Sequence, residues 1–118
     1  MSENGLGDCF EAAGRYITSP FARDEASDDL VLVHAEVMGQ GPLEGVTFGH
    51  AWVLNTRNNT VIDKSNGRDI IMPRAVYYAI GGVDRIGNVW EYTRVEAVEK
   101  ILEWEHWGPW DLITSSGL

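Results

Sequence analysis

Residues 50–63 read HAWVLNTRNNTVID, and the fold turns on how this stretch is paired. Residues 50–55 run through Trp52, Val53 and Leu54, the β-branched and large apolar composition of a strand. TRNNT (56–60) has the Asn-rich chemistry of a tight turn, and VID (61–63) resumes the strand pattern. The expectation is an antiparallel hairpin with His50 at the mouth of its first strand and Asp63 at the end of its second.

Moving outward, LVLVHAEVM (30–38) reads as a further strand, and GQGPLEGVTFG (39–49), with four glycines and a proline, as the loop joining it to the hairpin. GDCFEAAGRYI (7–17) has the form of a helix start. Asp8 is its expected cap, Glu11 stands three residues on as in a capping box, and Phe10, Ala13 and Ile17 share one face. SPFARDEASDD (19–29) is a polar, acidic connection, and KSNGRD (64–69) a second turn. PRAVYYAIGG (73–82) opens on Pro and closes on Gly, as helices do, and NVWEY (88–92) is a strand candidate. TRVEAVEKILEWEHWG (93–108) is the clearest helix, with Thr93 and Glu96 as a capping box and Val95, Val98, Ile101, Leu102 and Trp104 or Glu105 as its expected inner face. The expected fold is α+β: an N-terminal helix packed on a small antiparallel sheet, with C-terminal helices, in one domain over residues 1–118.

At 118 residues and 44% hydrophobic content, with five Trp, one packed core is within reach. Eighteen acidic against nine basic residues give a net charge of −9, which argues against nucleic acid as a partner. There is neither a signal-peptide pattern nor an apolar run of membrane-spanning length, so the expected setting is cytoplasmic and away from the membrane. A single cysteine, Cys9, has no partner for an internal disulfide, in keeping with a reducing compartment.

Cys9 in a first helical turn, His50 on a strand and Asp63 on the neighbouring strand form the order Cys, His, Asp. A thiol with an ordinary pKa of about 8.5 becomes a thiolate more readily beside a helix N-terminus and an imidazolium. His50 is then the proton carrier, and Asp63, accepting from the other ring nitrogen, orients it. The Cys9 backbone N–H is one oxyanion donor, and Asn4, Gln40 and Trp52 are candidates for a second. Each residue also has a plainer reading. Cys9 is small enough to be ordinary core, His50 can be structural, and Asp63 before KSNG can begin an Asx-type turn.

The segments GDCFEAA, FGHAWVL and VIDKSNG resemble the Cys, His and Asp segments of the transglutaminase-like branch of the papain-like cysteine-peptidase superfamily. The resemblance spans roughly residues 5 to 67, and small phage and bacterial proteins share it. It implies a central helix opened by Cys9, packed on an antiparallel pair bearing His50 and Asp63, with the triad acting through an acyl-enzyme. Phe10 follows Cys9 where a transglutaminase core often has a Trp near its Cys, and the chain is smaller than the cross-linking enzymes. Both departures favour hydrolysis or deamidation of a protein or peptide amide over cross-linking.

Two rivals stand beside this reading. One is a non-catalytic protein-binding module, an effector or inhibitor, using its acidic surface and the Trp-rich stretch EWEHWGPWDL (103–112). The other gathers a metal with His34, His50 and Asp63, Glu36 sharing the face of His34. No His-x-x-x-His or paired-Cys spacing supports it, so neither metal nor cofactor is expected. His34 is otherwise placed at the surface or beside His50 in the cleft. The glycines of residues 39–49 lack the Lys-Ser/Thr ending of a phosphate loop and fit a rim over the His50 end of the cleft.

Overall fold

The computed structural model describes residues 8–20 and 28–114. Helix α1 (Cys9–Ile17) leads to strand β1 (Leu30–Met38), β2 (Thr47–Asn55), β3 (Thr60–Asp63) and β4 (Ile70–Pro73). Helices α2 (Arg74–Gly81) and α3 (Val83–Ile86), strand β5 (Val89–Thr93) and helix α4 (Arg94–Trp104) complete the chain. The five strands form one sheet in the order β4-β3-β2-β1-β5, antiparallel at every pairing. The fold is therefore α+β.

The sheet is covered on both faces. Leu30, Leu32, Ala51, Val53 and Tyr92 pack with Cys9, Ala13 and Ile17 of α1 on one side. On the other, Val33, Ala35, Val37, Trp52, Leu54 and Val61 pack with Tyr78 of α2 and with Val83. Strand β1 lies between β2 and β5 and is sandwiched by both layers, so it is buried almost throughout, His34 and Glu36 included.

Helix α1 has a glycine at its centre because the Trp107 ring lies against it. A Cβ built on Gly14 would come within 2.6 Å of Trp107 Cε3, so the backbone there must stay bare for the ring to close over it.

Three local readings change. The Asp8 side chain does not cap α1; its backbone is αR rather than extended, and its carboxylate instead accepts the Asn66 N–H at 3.0 and 3.2 Å. Strand β2 begins at Thr47, three residues before His50, because Met38 to Glu36 pair with Thr47 to Gly49 and continue the ladder. Helix α4 carries the expected capping box, Thr93 Oγ1 accepting from Glu96 N and Glu96 Oε1 from Thr93 N. Its inner face is only partly the expected one: Ala97 is its buried residue and Val98 and Ile101 are half-buried, while Val95 and Leu102 are 63% and 73% exposed. Most of the 19–29 connection lies outside the described residues. Among the described residues no helix is long and apolar enough to cross a membrane.

Candidate active site

Residues paired across an antiparallel ladder point to the same face, and neighbours along a strand to opposite faces. His50 pairs with Ala35, whose side chain lies in the core under α2 and α3. Asp63 follows Val61 by two positions and shares that face. Cys9 belongs to the α1 layer on the opposite face. Thiol and imidazole meet because the hairpin opens. The β2–β3 ladder ends at Val53 paired with Ile62, and β3 then turns away through the helical turn Ser65–Gly67. The first turn of α1 packs against β2 and against that turn, tied to it by Asp8 and Asn66. Cys9 thereby comes into hydrogen bonding with the His50 ring.

His50 Nε2 stands 3.2 Å from Asp63 Oδ2 and 3.1 Å from the Tyr77 hydroxyl. Tyr77 in turn donates to the same Asp63 oxygen at 2.6 Å. The other carboxylate oxygen, Oδ1, accepts from the Ser65 backbone N–H at 2.9 Å and the Ser65 hydroxyl at 2.6 Å. The two oxygens of Asp63 thus have different partners. Oδ1 makes the Asx-type turn and Oδ2 faces the imidazole. The whole carboxylate is fixed as a result.

The electrostatics follow from this crowding. Burial works to lower the His50 pKa, but the hydrogen bonds and charges of Asp63 and Cys9 outweigh it and push it up to about 9. Burial likewise works to raise Asp63, and is overcome by His50 first and then by Ser65 and Tyr77, which hold it well below the usual carboxylate range. Tyr77 is raised by burial and by the Asp63 charge, so it remains a neutral donor. Beneath the ring lies Trp52, fully buried, its indole 5.8 Å from His50 and 5.1 Å from Tyr77 between centroids.

The remaining candidates lie elsewhere. His34 pairs with Ala51 and so faces away from His50, against Phe10, Tyr92 and Trp110 at 4.8, 5.2 and 4.8 Å. Gly108 lies against its ring as well. Desolvation in this aromatic nest lowers its pKa to about 3, against the pull of Asp111, and neither ring nitrogen has a hydrogen-bond partner. His34 is therefore neither at the surface nor in the cleft, and it does not converge with His50 and Asp63. Among the described residues no group of three or more His, Cys, Asp or Glu side chains is arranged to hold a metal ion. Gln40 is on the cleft rim, but its amide donates to the Ile80 carbonyl at 2.8 Å. Trp52 is sealed in the core and presents no N–H to the cleft. Asn4 lies outside the described residues.

Tyr77 and Ser65 are the site residues that sequence reasoning missed. Ser65 had a signal, since the second residue after an Asx-turn aspartate commonly supplies the amide. Tyr77 had none: it is one of two adjacent tyrosines on α2, and only the docking of that helix distinguishes it from Tyr78.

A cleft of about 370 Å³ opens from His50, Asp63 and Tyr77 outward between the β1–β2 loop, β4 and α2. No family model, curated protein or solved structure matches the chain.

Proposed function

We propose that the protein is a cysteine-dependent amide hydrolase built on a minimal papain-like, transglutaminase-like core, with Cys9 as nucleophile, His50 as proton carrier and Asp63 as orienting carboxylate. The observation that carries this reading is the His50 ring, which interacts with both the Cys9 thiol and the Asp63 carboxylate.

Since Nε2 is committed to Asp63 and Tyr77, Nδ1 is the nitrogen left to exchange a proton with the thiol. Cys9 gives its proton to Nδ1, and the thiolate sulfur bonds to the substrate carbonyl carbon. As the tetrahedral intermediate collapses, the C–N bond breaks and the amine leaves with the proton from His50. Water, deprotonated by His50, then attacks the thioester. The acid is released and the proton returns to the sulfur. Asp63, held at both oxygens, keeps the ring in register through both halves of the cycle. The substrate is a protein or peptide amide.

A non-catalytic protein-binding module on the same fold is the second reading. What favours it is the burial of Cys9, which is 2% exposed and does not line the cleft. Alkylation by iodoacetamide separates the two. The hydrolase reading expects Cys9 to be alkylated readily and the His50→Ala variant to lose that reactivity; a slow thiol that reacts alike in both proteins would discard it.

A further inference from the structure

The cleft beside His50 has an apolar wall and a polar floor. Val37, Met38, Phe48, Ile70, Met72 and Ile80 supply the wall, drawn from β1, β2, β4 and α2. The charged group on its floor is already occupied. Both oxygens of Asp63 are taken by Ser65, Tyr77 and His50, so no open carboxylate awaits a lysine or arginine. The Gln40 NH2 donates to the Ile80 and Met38 carbonyls at 2.8 and 3.3 Å, and Asn66 and Arg68 stand at the exposed rim rather than along the wall. A volume of about 370 Å³ is at the small end of ligand sites and matches one or two residues of an extended peptide.

We propose that this cleft receives a large aliphatic or aromatic side chain of an extended peptide, next to the bond that Cys9 attacks, and so selects apolar peptides over glutamine side chains. The assignment rests on the hydrolase reading for its link to Cys9, but the cleft's preference can be measured without any catalysis. A glutamine or lysine side chain laid along the apolar wall would give up hydration that the wall cannot replace. An aliphatic one leaves water for an apolar wall.

The experiment is a heteronuclear NMR titration of the Cys9→Ala protein with N-acetyl-dileucine amide, N-acetyl-diglutamine amide and N-acetyl-dilysine amide. The dileucine amide is expected to bind at least roughly tenfold more tightly than either other, burial of one Leu side chain being sufficient for that ratio. Shifts should centre on Val37, Phe48, Met72 and Ile80. Two variants at partly exposed wall positions, Ile80→Asp and Leu43→Asp, put a carboxylate into the cleft without burying it in the core, and each should remove the preference. Equal binding of the three amides, shifts centred elsewhere, or preference retained in both variants overturns the assignment. Iodoacetamide reactivity of Cys9 in the unaltered protein is read separately. An inert Cys9 with selective dileucine binding ends the hydrolase reading but leaves the apolar site; a reactive Cys9 with no selectivity does the reverse.

Discussion

The Tyr77 hydroxyl lies 3.1 Å from His50 Nε2 while donating its own hydrogen to Asp63 at 2.6 Å. A single phenol thus touches both the ring and the carboxylate that orients it. His50 Nε2 thus faces both the carboxylate and the phenol oxygen, which fixes the orientation of the ring. Helix α2 is thereby coupled to a hairpin that lies before it in the chain.

The Tyr77→Phe substitution keeps the ring against Trp52 and removes this bond to a buried carboxylate. A loss of about 1–3 kcal/mol of stability is expected, as for other hydrogen bonds to charged groups. Urea unfolding followed by circular dichroism measures it. A midpoint equal to that of the unaltered protein would mean that the bond contributes nothing.

His34 contributes to the acid limb of stability. The folded protein keeps it neutral down to about pH 3, whereas the unfolded chain takes up its proton at the ordinary histidine value of 6.5. Between those values the unfolded state holds the extra proton, so stability falls as pH drops through the window. His34→Leu and His34→Phe remove the titrating group and its two unpartnered nitrogens. Acid unfolding should then move to lower pH, with stability at neutral pH less affected than at pH 4. An acid titration superimposable on that of the unaltered protein would contradict this.

The capping box of α4 is the most local test. Thr93→Ala removes the oxygen that accepts the Glu96 N–H, and a cost of about 0.5–2 kcal/mol is expected. Thermal unfolding reads it. Thr93→Ser, which restores the acceptor, should recover most of the loss.

Much of the architecture was legible in short-range pattern. The run 30–38, the hairpin through TRNNT and the Thr93–Glu96 box all encode their own conformation, and each forms as its residues dictate. Strand β4 was not seen because IIMP is short, ends in proline and lies at the edge of the sheet. The inner face of helix α4 was read only in part, at Val98 and Ile101, for a different reason. Periodicity marks an apolar stripe through Val95, Val98 and Leu102, but which side of a helix meets the body is a tertiary matter, and the small Ala97 is what packs there. The site divides the same way. Cys9, His50 and Asp63 could be named from the sequence, yet their approach depends on β3 leaving β2 after Ile62 and on Asp8 binding Asn66 rather than capping its own helix. Neither event has a local signature. His34 was misplaced because strand alternation separates it from His50 only once the β1–β2 register is known.

The coupling of Cys9 to His50 can be read at the imidazole itself. Ring-nitrogen NMR of His50 across pH 5 to 11, in the unaltered protein and in Cys9→Ala, should find the ring protonated up to about pH 9 in the first and titrating at lower pH in the second. Titration near the free-histidine value of 6.5, unchanged by removal of the sulfur, would contradict a thiol–imidazole pair held ready by Asp63.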